Sequence, residues 1–237
     1  MTARMLAALV PLLSFSYAVA GQASARIVEL PINVVEGYVM VKGRINHSDE
    51  LTFLFDTGCT EPVVHTATAD RLGLVAEERT RSSGRGTFTE SIVPNAELAF
   101  GSLVLDRRRL LRRSNDMIER RMGIAIDGVI GADLLRDFVV AIDYDRRVLT
   151  LYEAETFRYE GDGAQIAIDA NPYLSTLHTE LLIEEGDSTT VRFLIDTGAG
   201  LPLALNTPFV NDNDLVARIG APEIEYRLAA YQVEMKS

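Results

Sequence analysis

Apolar and polar residues alternate along most of the chain in short runs, which predicts strands more often than helices. Ile27 to Ile32, Gly37 to Arg44 and Leu51 to Phe55 read as the first three strands, with a polar turn from Asn46 to Glu50 before the third. Thr66 to Leu72 suits a short helix ending at Gly73, where a residue without a Cβ can take the left-handed cap. Residues 82 to 89, Ser-Ser-Gly-Arg-Gly-Thr-Phe-Thr, read as the glycine-bearing tip of a mobile hairpin. Ile92 to Leu105 is again strand-like, and Phe138 to Ile142 with Val148 to Tyr152 forms a hairpin around Asp143 to Arg147. A mainly β chain is expected.

The pattern then returns. Leu177 to Ile183, a turn from Glu184 to Ser188 and Val191 to Ile195 repeat the earlier hairpin, and both hairpins run into Asp-Thr-Gly. The first is Asp56-Thr57-Gly58 after Phe53-Leu54-Phe55, the second Asp196-Thr197-Gly198 after Phe193-Leu194-Ile195, and Pro62 and Pro202 each follow the aspartate by six positions. A given tripeptide turns up at roughly one position in five thousand by chance. Two in matching surroundings predict an internal duplication, with a first lobe over 21–157 and a second over 158–237 joined near the polar stretch Glu153 to Gly163.

An aspartate in a turn is usually only a turn former. Two carboxylates brought face to face are different, because they cannot both ionise and so share a proton. One then acts as a base on a bound water while the other protonates a carbonyl oxygen, and the titration belongs to the pair. Asp56 and Asp196 are therefore the candidate catalytic residues, with Thr57, Gly58, Thr197 and Gly198 supporting their loops.

Composition narrows the rest. The content of 47% apolar residues is ample for a buried core, and 23 basic against 34 acidic residues, a formal charge of −11, argues against a nucleic-acid partner. The arginine-rich stretch Arg107 to Arg121 is expected to be a solvated loop or helix face. His47, His65 and His178 are scattered, so surface or loop roles are expected, with no metal and no cofactor. No Gly-x-Ser-x-Gly elbow or phosphate-binding glycine loop occurs. Cys59 stands alone, can form no intramolecular disulfide, and is expected to be a thiol near the cleft open to oxidation. Residues 1–20 read as a signal peptide: Arg4, an apolar stretch from Met5 to Tyr17 interrupted by Pro11, and Ala18-Val19-Ala20 before Gly21. Export to the periplasm or medium is expected, with no stable membrane span after cleavage.

On the paired Asp-Thr-Gly, the glycine-bearing hairpin and Val129-Ile130-Gly131, the chain resembles the bacterial retropepsin-like members of the pepsin and retropepsin superfamily of aspartic proteases. The resemblance implies a closed β-barrel-like lobe and activity on peptide or protein substrates. It implies a substrate-binding flap at residues 83 to 89, including Gly84, Gly86, Thr87 and Phe88. It places Val129-Ile130-Gly131 beneath the first catalytic loop. The chain departs from the family at Cys59, where alanine or serine is usual, and in length. From Asp56 to Gly131 is 75 residues, but only 41 follow Asp196, so the second lobe is expected to be truncated and to lack a crossing motif. Three explanations stand open: a fragment of a longer protein, which is the expectation here, a degenerate second lobe, or a homodimer in which Asp56 pairs with Asp56 of a second chain. A non-catalytic peptide-binding module on the same fold is the alternative function.

Overall fold

The computed structural model describes residues 24–83, 86–170, 174–184, 186–220, 227–230 and 233–236, with side chains outside 81–88, 170, 184 and 221–237. The expected signal peptide lies outside the described residues. In β1 (Arg26–Val35) Val28, Leu30 and Ile32 point inward while Glu29, Pro31 and Asn33 face out, the period of two that a half-buried strand requires. β2 (Tyr38–Ile45) and β3 (Leu51–Asp56) follow, and β3 reads differently: Phe53, Leu54 and Phe55 are all at most 1% exposed. It is covered on both faces, because Phe53 and Phe55 enter one apolar cluster and Leu54 a second. Each such side chain contributes roughly 1.5–3 kcal/mol.

The chain continues through β4 (Val63–His65), α1 (Thr66–Arg71), β5 (Glu77–Ser83) and β6 (Gly86–Phe100) to β7 (Leu103–Arg113). It then forms α2 (Asp116–Met122), β8 (Gly128–Gly131), α3 (Ala132–Asp137), β9 (Phe138–Asp143) and β10 (Val148–Glu153). The stretch expected as one strand from Ile92 is two, turning at Gly101. The ten strands run β5-β6-β7-β4-β8-β3-β2-β1-β10-β9, and β6 also pairs with β2 through Arg44↔Ala99 and Ile45↔Leu98. That pairing closes β2, β3, β8, β4, β7 and β6 into a ring, so the expected closed barrel is present.

The arginines differ from expectation. Arg107 to Arg113 lie in β7, held between β6 and β4, because Leu105, Leu110 and Leu111 are buried and both neighbouring strands supply backbone partners. Arg108, Arg109, Arg112 and Arg113 pair with Asp137, Glu61, Asp70 and Glu90. Exposed pairs of this kind add little stability, but they cancel the basic stretch locally.

The second part of the chain has β11 (Asp169–Ala170), β12 (Ser175–Glu184) and β13 (Asp187–Leu194) in one sheet. α4 (Thr207–Asp212), α5 (Leu215–Ile219) and the paired β14 (Arg227–Ala230) and β15 (Val233–Lys236) follow. Asn206 caps α4 by accepting the Phe209 N–H at 2.9 Å. The order hairpin, Asp-Thr-Gly, short helix thus occurs twice.

Within the barrel β3 runs parallel to β8 and ends with Asp56 opposite Gly131. A Cβ on Gly131 would enter the Asp56 carbonyl, so no other residue fits where the two strands meet. Gly131→Ala is expected to cost roughly 3 kcal/mol or more, read as a fall in the denaturant midpoint; a change below about 1 kcal/mol would count against this close approach.

Candidate active site

Each Asp-Thr-Gly turn is first closed on itself. Asp56 Oδ1 accepts the Gly58 N–H at 2.8 Å and Asp196 Oδ1 accepts the Gly198 N–H at 2.9 Å, so each carboxylate is aimed by its own glycine two residues on. The turns are then locked to each other. Thr57 N–H donates to Thr197 Oγ1 and Thr197 N–H to Thr57 Oγ1, both at 3.0 Å. Thr57 Oγ1 in turn donates to the Ile195 carbonyl at 2.7 Å, and Thr197 Oγ1 to the Phe55 carbonyl at 3.0 Å. Partners 138 to 142 residues apart therefore bond reciprocally, and each threonine uses its hydroxyl as both donor and acceptor.

The lock sets the carboxyls facing. A Cβ on Gly58 would lie 2.7 Å from the Asp196 carboxyl, and one on Gly198 would collide with that of Asp56. Each glycine is thus the floor beneath the opposite acid. Burial, then the neighbouring Asp196 charge and a hydrogen bond from its side chain, push the Asp56 carboxyl up from 3.8 to about 7, against the pull of the Gly58 and Cys59 amides. The structure therefore brings together Asp56, Thr57, Gly58, Asp196, Thr197 and Gly198 within one chain.

The flap residues stand differently. β5 and β6 pair from Glu77↔Ile92 to Ser83↔Gly86, so the expected hairpin exists in backbone. Gly84 lies outside the described residues, as do the side chains of Thr87 and Phe88, while Gly86 is placed in the backbone of β6.

The two loops are not equally supported. Beneath the first, Ala132 N–H donates to the Cys59 carbonyl at 3.2 Å and Arg136 donates to the Thr60 carbonyl at 3.1 Å. Asp133, 2% exposed, accepts the Gly131 N–H at 3.0 Å on Oδ1, while its Oδ2 has no hydrogen-bond partner among the described residues. Burial pushes this carboxyl up too. The second loop has no counterpart to this support among the described residues; it does meet Tyr38, whose ring and hydroxyl lie against Gly200. Sequence reasoning missed Asp133, Arg136 and Tyr38, and only the position of Asp133 two residues past Gly131 could have pointed to one of them.

Two expectations need correction. Cys59 is half-buried, donates to the Glu61 carbonyl at 3.2 Å, and is pushed up to about 12 by burial and by Asp56 and Asp133, so it is an inert thiol. His65 is not a surface residue: it is 7% exposed and its Nδ1 accepts the Asn115 N–H at 2.9 Å. Its Nε2 faces Asp116 at 3.4 Å and Glu119 at 3.9 Å, a trio close enough to suggest metal ligation. The amide on Nδ1 forces the neutral ring to carry its hydrogen on Nε2, which leaves no lone pair there for a metal. The trio reads instead as a tie between β4 and α2.

Residues 41–134 match the model of a family described as aspartyl protease. That segment runs from β2 into α3 and includes the first loop but not the second. A search of curated proteins finds no match. Among solved structures, a retropepsin-like aspartic protease from Rickettsia conorii is similar at 16% identity, over 53% of this chain and 90% of that one, with a TM-score of 0.38.

Thr57→Val removes an acceptor for the Thr197 amide and a donor to Ile195, and is expected to cost about 2–4 kcal/mol. Thr57→Ser keeps both bonds and should stay within about 1 kcal/mol of wild type. Equal losses in the two variants, measured by denaturant unfolding, would contradict the lock.

Proposed function

We propose that the chain, whose residues 41–134 match the model of a family described as aspartyl protease, is an aspartic endopeptidase in which Asp56 and Asp196 of one molecule form the dyad. The observation that carries this reading is the reciprocal lock of the two Asp-Thr-Gly loops, which sets two acids face to face; the raised Asp56 carboxyl supports reading them as sharing one proton. A water held between the carboxyls loses a proton to the ionised member and attacks the peptide carbonyl, while the protonated member donates to the carbonyl oxygen. The resulting tetrahedral species collapses with a proton delivered to the leaving nitrogen, which regenerates the starting pair. The pairing within one chain leaves a dimer through two Asp56 residues without a role. We further read the chain as two duplicated lobes, 21–157 and 158–237, with the flap at residues 83 to 89, and as an exported protein.

Sign and window follow from Asp56. A carboxyl raised from 3.8 to about 7 holds its proton through the acid range, so activity should fall as pH rises through about 7. The same shift contributes stability that is full below about 3.8 and is lost as pH rises towards 7. Asp56→Asn should lower peptide cleavage by roughly 10²–10⁴-fold, and its melting temperature should drop less than that of wild type between pH 4 and 7.5. Undiminished cleavage by the variant would sink the proposal, and peptide binding without turnover by wild type would select the non-catalytic module. Export is checked separately: mature protein recovered from the periplasm of an expressing bacterium should begin at Gly21, and an intact Met1 there would refute signal cleavage.

A further inference from the structure

Tyr38 opens β2 and is 4% exposed. Directly paired residues of neighbouring antiparallel strands share a face, and Met40 with its β3 partner Leu54 lies in the apolar cluster that also holds Tyr38. The register ends at Val39↔Phe55, and one step further along it Tyr38 stands beside Asp56, on the face where Cys59 of the first catalytic loop packs against that cluster. The base of the ring is therefore fixed by the core of the first lobe.

Its tip touches the second. Gly200, four residues past Asp196, has a φ of +63°, and a Cβ on it would collide with the Tyr38 hydroxyl and ring. The backbone angle and the ring each require glycine there. The Tyr38 hydroxyl makes no hydrogen bond among the described residues, so the ring acts on Gly200 by contact. The second loop is then pinned at two points, by hydrogen bonds at Thr197 and by the ring at Gly200. Between them lies Gly198, the floor beneath the Asp56 carboxyl. One pin would leave the loop free to turn about its threonine, and two fix its direction.

We infer that Tyr38 is a positioning residue of the dyad: its ring carries the packing of the first lobe across to Gly200 and so keeps Asp196 facing Asp56. The contact stands on the packing alone. Its effect on cleavage rests on the dyad reading above. Burial and then Asp196 raise the Asp56 carboxyl, the Gly58 and Cys59 amides lower it, and the nearby Cys59 thiol stays protonated. A second loop that swings away therefore lets Asp56 fall back towards the ordinary carboxyl range.

Tyr38→Leu keeps an apolar residue in the cluster and withdraws the tip. With a quenched fluorogenic peptide that wild type cleaves, it is expected to lower kcat by about 10–100-fold and leave KM within about threefold. The alkaline limb of its pH profile should move down by about one unit. Tyr38→Phe, which keeps the ring, should hold kcat within about threefold of wild type. A KM that rises while kcat holds would place the ring against substrate and overturn the inference, as would an unmoved alkaline limb in Tyr38→Leu. The contact is checked without turnover by adding Gly200→Ala to wild type and to Tyr38→Leu and comparing denaturant midpoints. The fall should be about twofold smaller or less again in Tyr38→Leu, where the new Cβ meets no ring. Equal falls would mean that the backbone angle alone excludes a side chain, and would overturn the contact. A wild type that cleaves nothing yet shows this coupling supports the contact and counts against the dyad.

Discussion

Everything at this site depends on holding two like charges together. Four hydrogen bonds between the Thr57 and Thr197 turns, each worth on the order of 1 kcal/mol, do so. Against them stands the cost of ionising Asp56 where it is buried and faces Asp196, which a shift from 3.8 to about 7 puts on the order of 4 kcal/mol. The terms are of the same size, so the lock holds because the pair keeps a proton and avoids the full repulsion. A hydroxyl is needed on each side because the position requires one group that donates and accepts at once, and glycine is needed next because a side chain would fill the space of the opposite carboxyl. The tripeptide is thus the smallest unit that aims an acid, locks its turn and leaves room for a partner.

The symmetry of the lock ends one layer down. β3 is a central strand covered on both faces, and its loop rests on Gly131, Ala132 and Arg136. β13 ends a three-stranded sheet, and its loop is held mainly by the lock itself and by Tyr38. Asp56 is accordingly buried and Asp196 half-buried. The amide that closes each turn onto its aspartate carbonyl follows the same trend, at 3.1 Å from Cys59 and 3.5 Å from Ala199. A change in the cover of β13 is therefore felt at Asp196 first.

Much of this was legible in the sequence because the requirements are local. Strand alternation, a helix stopping at Gly73 and two Asp-Thr-Gly turns after apolar runs are set by neighbours within a few residues, and the structure has each of them. What escaped depends on distant partners. The arginines of β7 looked solvated because charge dominates their composition, yet the strand exists because β4 and β6 flank it and Leu110 and Leu111 are buried. His65 looked like a surface residue because its partners, Asn115, Asp116 and Glu119, come 50 or more residues later. Asp133 was missed in the sequence, since only the fold reveals that it is buried against Gly131.

The same asymmetry accounts for the residue after each glycine. In the first loop that residue is Cys59, whose carbonyl is taken by α3 and whose thiol is half-buried beside Asp56 and Asp133. Both neighbouring acids disfavour the thiolate, and burial disfavours it further, so a normally reactive group is kept as a small apolar filler. In the second loop the residue is Ala199, which lines the open space beside β13. A thiol there would lack the cover and the second acid, Asp133, that keep Cys59 protonated. Cysteine is tolerable only where the loop is already supported, which is the position it occupies.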